Sequence, residues 1–274
     1  MRRREFIAVI ACATALPFAA NAQASRKIAR VGVLWHAGSA EEEGEYLTVL
    51  VRAFAGLGYV EGKNVEFLHR FPAEQPERFR ALAKELVESN VDLLIAVTTA
   101  GGSALKQFTS RVPIVFLFVD DPVSIGFVSS LAHPGGNMTG LSLVASDLTG
   151  KRLALLKEAV PNLSGVALLL DANPQSPGLI SANATAAKAL GLSFRLIEIQ
   201  TPDAIEPAFA EMEKEQIGGA VVIGALLYNE RARVGVSALA HKVPTIGLNA
   251  QMVPYGLLMS YGVDAFEYFR KAAW

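Results

Sequence analysis

The sequence predicts an α/β protein built as two doubly wound parallel-sheet lobes joined by hinge crossings. Three observations carry that prediction. Strand-length apolar runs alternate with helix-period segments along almost the whole chain. Many of those runs are apolar without alternation, as expected of parallel strands covered on both faces. There are also more strand–helix units than one sheet comfortably holds, and a Pro/Gly break, "AHPGGNMTG", interrupts them at residues 132–140.

The elements follow in order. "IARVGVLW" (28–35) is a strand, and "EEEGEYLTVLVRAFAGLG" (41–58) a helix with Tyr46, Leu47, Leu50, Val51, Phe54 and Leu57 at helical spacing. "NVEFLHRF" (64–71) alternates as a strand. "PERFRALAKELVES" (76–89) is an amphipathic helix with Phe79, Leu82, Leu86 and Val87 inward. "VDLLIAV" and "PIVFLFV" are strands on either side of a helix opened by "GGSALKQFTS". After the break come a short strand "NMTGLSLV", a helix "LTGKRLALLKEAVP", a strand "SGVALLLD" and a helix "SPGLISANATAAKALG". Strands "LSFRLIEI", "GGAVVIGAL", "VPTIGL" and "GLLMSYG" alternate with helices "AIEPAFAEMEKEQ" and "NERARVGVSALAHK", and "DAFEYFRKAAW" begins a last helix. The predicted organisation is residues 1–24 as a signal peptide, 25–140 plus 260–274 as a first lobe, and 141–259 as a second.

The 274 residues carry 25 Lys+Arg against 26 Asp+Glu, with 51% hydrophobic and 19% charged residues. That balance gives a globular core and no basic stripe, which argues against nucleic-acid binding. The N-terminus reads as an export signal: three arginines, an apolar stretch from Phe6 to about Phe18, then Ala20, Ala22 and Ala24 in A-x-A spacing. Arg3-Arg4 also fits twin-arginine export, and Sec export remains open beside it. The single cysteine, Cys12, falls inside this segment, where lipid attachment is the less favoured reading. Cleavage at 24 leaves 22 basic and 25 acidic residues and no thiol for a disulfide or a cysteine-ligated metal. The expected location is periplasmic.

In open parallel sheets, ligands bind beyond the carboxyl ends of the strands. Unusual polar residues gather at those ends here. They are "HAGS" with Ser39 after strand one, just past Trp35, "TTAGGS" with Thr98, Thr99 and Ser103, and "DDPVS" with Asp121. In the second half they are "DANPQS" with Asn173 and Ser176, "LLYNE" with Tyr228, and "LNAQ" with Asn249. A carboxylate ending a buried strand is costly unless it faces a cleft or a partner. Asp121 therefore reads either as a cleft residue for a cationic group or as an ordinary Asp-Pro turn cap. The glycines and hydroxyls of "TTAGGS" suit a ligand's carboxylate or phosphate at a helix start, or plain N-capping. Trp35 reads as a ligand-stacking ring or a rim aromatic. Glu41-Glu42-Glu43 suits a helix's first turn. The four histidines, His36, His69, His133 and His241, are scattered and read as surface or loop residues, with no metal-ligand spacing. No P-loop, GxSxG elbow or metal motif is present, so no catalytic residue, metal or cofactor is expected.

"VPIVFLFVDDPVSIGFVSSLAHPGGNMTGLS", "RARVGVSALAHKVPTIG" and "GLLMSYGVD" resemble blocks of the ABC-transporter substrate-binding proteins of the tryptophan/tyrosine-binding-like group. That resemblance implies a periplasmic-binding-protein fold, no enzymatic activity, and hinge closure on a small solute, an amino acid or other small carboxylate. It also implies delivery to the membrane permease of an ABC importer, with the binding protein a monomer. Asp121-Pro122, Gly135–Gly140 and Asn173-Pro174 match the family's pattern. Asp120 stands where Gly is expected, and Gly224-Ala225 where many members carry Asp-Pro. Members also continue beyond the position of Trp274, so truncation is an expectation here. An exported sensor module and a hydrolase using Asp120 or Asp121 are the alternatives.

Overall fold

The computed structural model describes residues 28–143, 145–171 and 177–274. The predicted signal peptide, Cys12, Asn173 and Ser176 lie outside these. Two parallel five-stranded sheets, each flanked by helices, form a two-lobed α/β protein.

The first sheet has the order β2-β1-β3-β4-β5: Val65–Arg70, Ala29–Leu34, Leu93–Val97, Ile114–Val119 and Met138–Ser142. All its pairings are parallel. Burial follows position. Central β3 is buried at Leu94, Ile95, Ala96 and Val97, whereas edge strand β2 buries only Val65 and Phe67. Helices α1 (Ala40–Glu43), α2 (Glu45–Gly56), α3 (Pro76–Glu88) and α4 (Thr98–Lys106) cover the two faces.

The second sheet has the order β10-β9-β8-β6-β7: Met259–Ser260, Thr245–Gly247, Ala220–Ile223, Gly165–Asp171 and Ser193–Ile199. Every residue of β6 is buried, which accounts for its unbroken apolar run before Asp171. Its helices are α5 (Thr149–Ala159), α6 (Pro177–Ala189), α7 (Ile205–Lys214), α8 (Ala225–Asn229) and α9 (Arg231–Ala240).

The chain leaves the first sheet after Ser142 and the second after Ser260. The final helix, α10 (Ala265–Lys271), puts Ala265 and Phe269 into the first lobe's core beside Trp35, Tyr46 and Leu50. Each sheet thus carries an apolar cluster on both faces.

Two helices differ from the sequence expectation. The segment 41–58 is broken at Gly44, whose φ of 58° takes it out of the helical region. The second is α8, a short helix in "ALLYN", where the sequence reading has the end of a strand at Ala225 and Leu226 and the start of the next helix at Asn229. Among the described residues, no helix is long and apolar enough to cross a membrane.

Candidate functional site

The carboxyl ends of the two sheets face each other across a cavity of about 120 Å³. Strand order decides what lies along it. In the first lobe, β1 leads through Trp35 to His36, β3 runs into Thr98, Thr99 and Ala100, β4 ends just after Phe118, and β5 is followed by Leu143. In the second lobe, β6 ends at Asp171, β8 is followed by Gly224 and Ala225, and β9 by Leu248 and Asn249. Tyr46, Tyr228, Ala265 and Phe269 complete much of the wall.

The charged end is built around His36, which is buried at 7% exposure. Its Nδ1 lies 2.8 Å from Glu74 Oε1 and its Nε2 lies 3.5 Å from Glu43 Oε2. Burial lowers the imidazole's pKa, but the carboxylates of Glu43 and Glu74, with Asp171 beyond them, outweigh it and bring it to about 9. His36 is therefore an imidazolium at neutral pH. Glu43 does not serve the helix dipole as expected. The break at Gly44 lets it turn inward, where Oε1 accepts from the backbone N–H of His36 (3.1 Å) and Ala37 (2.9 Å). It thereby fixes the loop that carries the histidine.

Asp171 is 2% exposed. Burial raises its pKa to about 6 against the opposing N–H groups of Leu226 and Ala225. The Leu226 N–H donates to Oδ2 at 3.0 Å. Gly224 makes room for this carboxylate. A Cβ there would sit 2.4 Å from Asp171 Cγ, and the residue's φ is 145°.

Two non-glycine residues in the wall hold left-handed backbone: Thr98 with φ 75° and Phe118 with φ 56°. β-Branched and bulky residues adopt this region rarely and at a cost of order 1–3 kcal/mol, and such positions concentrate at functional sites. Phe118 sits at the register shift between Leu117 and Val119 in the β4–β5 pairing and packs on Tyr268 and Phe269. Thr98 opens α4, and its buried Oγ1 has no hydrogen-bond partner among the described residues.

The two lobes also touch directly. Tyr228 Oη donates to Tyr46 Oη at 2.8 Å, and Asn229 Nδ2 lies 3.4 Å from both Glu74 Oε1 and His36 Nδ1. Short helix α8 supplies both residues.

Of the residues singled out in the sequence, Thr98, Thr99, Tyr228 and Asn249 come together in the wall. Others are placed elsewhere. Trp35 is neither a stacking platform nor a rim residue. It is fully buried, stacked 6.4 Å from Phe71, and its Nε1 donates to His69 Nδ1 at 3.0 Å. Ser39 caps α1, its Oγ accepting from the Glu42 N–H. Ser103 lies in the second turn of α4, off the wall. Asp121 is the Asp-Pro turn cap: its Oδ1 accepts from Ser124 N–H at 3.0 Å, which holds its carboxyl below the usual range. Asp120 turns the other way and binds Ser146, with Ser146 N–H 3.0 Å from Oδ1. His36 and Asp171 open the strand-end stretches "HAGS" and "DANPQS" but were not chosen as ligand contacts, and His36, read as a surface or loop residue, is buried because Glu43 and Glu74 flank its ring.

Comparison with known proteins agrees with this architecture. Residues 44–273 match the model of the family described as ABC transporter substrate binding protein. A tyrosine-binding protein of Clostridioides difficile is 24% identical over 216 residues, covering 78% of this chain. The chain spans 62% of that curated relative's length. A conserved domain protein from Vibrio cholerae superposes with a TM-score of 0.83 at 25% identity, covering 90% of this chain and 83% of the other. The ABC domain in complex with L-Trp from Streptococcus pneumonia superposes with a TM-score of 0.80 at 21% identity, covering 89% and 82%. With most of its length matched by one family model on a two-lobed fold, this chain belongs to the ABC transporter substrate-binding protein family.

Proposed function

We propose that the protein captures a small amino acid with an apolar or aromatic side chain between its lobes and delivers it to an ABC permease outside the cytoplasm. The observation that carries this reading is the wall itself: hydroxyls, one fixed cation, one buried carboxylate and several aromatic rings, contributed by both lobes. The buried, unpartnered Thr98 Oγ1 and the first N–H groups of α4 suit a ligand carboxylate. Asp171 takes the role that the sequence suggested for Asp121 and receives the ligand's ammonium. Phe118 and Phe269, which pack on each other in the wall, lie beside the side chain. The relatives' ligands, tyrosine and L-Trp, have this chemistry.

Binding energy that requires both lobes shifts the protein towards closure, because a ligand moves such an equilibrium only by its differential contacts. Export through the N-terminal signal, a monomeric state and the absence of turnover belong to the same reading. Calorimetry of the purified protein against L-amino acids tests it. Micromolar binding of an aromatic or aliphatic amino acid, weakened tenfold or more by Asp171→Asn, is the expected result. Equal affinity in wild type and Asp171→Asn removes the assigned role of that carboxylate. No binding across the panel removes the reading.

A further inference from the structure

The strand orders of the two sheets give the cavity a direction. At one end stand His36, after β1, and Asp171, at the end of β6, both held by α8: its Leu226 N–H donates to Asp171 at 3.0 Å and its Asn229 Nδ2 lies 3.4 Å from His36 Nδ1. Moving across the first sheet, the wall changes to Thr98 and Thr99, then Phe118, then Leu143. Moving across the second sheet in the same direction, it changes from Asp171 to Ile223 and Gly224, then Leu248 with Asn249 beside it.

The apolar end is made by the hinge. Leu143 lies in the first crossing, and its N–H donates to Val119 O at 2.7 Å, next to Phe118. Ser142, its neighbour, accepts at its carbonyl from Tyr268 Oη at 2.5 Å. Leu248 backs onto the second crossing. A Cβ on Gly262 would meet the Leu248 carbonyl oxygen at 2.2 Å, so the two backbones are in contact. Ala265, the first residue of α10, follows that crossing and lines the same end.

We infer that the solute lies along the cleft with its apolar group against the hinge, and that Leu143 and Leu248 set the size of group accepted. This rests on the capture reading above and adds an orientation and two specificity-determining residues to it. A side chain too large for the hinge end holds the crossings apart and opposes closure. One too small leaves the end unfilled and forfeits its apolar contacts. Each methylene gained or lost in such a pocket changes affinity by about tenfold or more.

The test is calorimetry of wild type, Leu143→Ala and Leu143→Phe against L-alanine, L-valine, L-phenylalanine, L-tyrosine and L-tryptophan. Thermal melts establish that each variant is folded. Leu143 is only partly buried, so both substitutions are tolerable, and Leu143→Val serves if either fails to fold. The expected result is a shift in ranking: Leu143→Ala favours the larger side chains by about tenfold over the smaller, and Leu143→Phe does the reverse. Leu248→Ala moves the ranking in the same direction as Leu143→Ala. Binding by wild type with an unchanged ranking in these variants overturns the orientation while leaving capture intact. No binding by wild type overturns both.

Discussion

Tyr228 of the second lobe donates its hydroxyl hydrogen to Tyr46 of the first at 2.8 Å, and the two rings lie 5.8 Å apart. Tyr228 packs against the apolar clusters of both lobes, so α8 reaches across the cleft. Protein groups thus bridge the two lobes directly. A part-buried hydrogen bond of this kind contributes about 1 kcal/mol net. Tyr228→Phe is expected to lower the closed population and weaken amino-acid binding about fivefold. Small-angle scattering of the ligand-free protein should show a larger radius of gyration. An unchanged radius together with unchanged affinity counts against the bridge.

Gly224 is set by its neighbour. With φ at 145° and a Cβ destined to sit within 2.4 Å of the Asp171 carboxyl carbon, alanine there meets both backbone strain and a clash. Each costs about 1–3 kcal/mol. Gly224→Ala should destabilise the protein by about 2–6 kcal/mol and abolish ligand binding. The double variant Gly224→Ala/Asp171→Ala should relieve the clash but not the strain, so Asp171→Ala should help more in the Gly224→Ala background than in wild type. If Asp171→Ala shifts the melting temperature equally in wild type and in Gly224→Ala, the two residues are not coupled.

The parallel sheets and the clustering of ligand chemistry at strand ends were legible because unbroken apolar runs leave few other architectures. Thr98, Thr99, Tyr228 and Asn249 could be found this way. Which polar strand-end residue turns inward was not legible. Asp120 and Asp121 end β4 much as Asp171 ends β6, yet local turns satisfy the first two through Ser146 and Ser124. Glu43 was hidden for a different reason. Three consecutive glutamates look like a solvated helix start, and only the backbone reversal at Gly44 separates the buried one from its neighbours. Trp35 failed as a wall residue because α10, distant in sequence, covers it with Phe269 at 5.5 Å.

The charged end of the cleft makes stability depend on pH. Asp171 is raised from 3.8 to about 6, so its contribution is fully present below pH 3.8 and is lost as pH rises through 6. His36 is raised from 6.5 to about 9, so its contribution is present below pH 6.5 and is lost as pH rises through 9. Each change corresponds to about 3 kcal/mol at 1.36 kcal/mol for each pH unit. Asp171→Asn should therefore be close to wild type in stability at pH 4 and more stable at pH 7.5. His36→Gln should be less stable than wild type at pH 6, with the gap closing above pH 9. Denaturant melts across this range check both signs. A stability difference independent of pH in either variant would show that the residue does not titrate as described. Amino-acid affinity should fall as pH drops through 6, because protonated Asp171 no longer attracts an ammonium, and Asp171→Asn should flatten that dependence.

Arg152 ties the two crossings together. It is fully buried, its Nε donates to the Tyr261 carbonyl at 2.9 Å and its Nη2 to the Ala145 carbonyl at 2.8 Å. Burial lowers its pKa to about 10, with Asp120 and Tyr261 opposing, so the guanidinium stays charged at neutral pH. One side chain on α5 thus bonds a carbonyl beside each crossing, and the planar fork of arginine matches that pair of acceptors where a lysine ammonium does not. Hydrogen bonds to charged groups contribute about 1.5–3 kcal/mol each, and an orphaned buried carbonyl adds a penalty. Arg152→Met is expected to cost about 3 kcal/mol and to lower the melting temperature by roughly 10 °C. Arg152→Lys should fall between the two, since it retains the charge and at most one of the bonds. Hydrogen exchange separates a hinge role from a general loss of stability. Amides of residues 145–149 and 260–264 should exchange faster in Arg152→Lys, while those of β3 and β6 keep their protection. Uniformly faster exchange throughout both sheets would assign Arg152 to the core and not to the hinge.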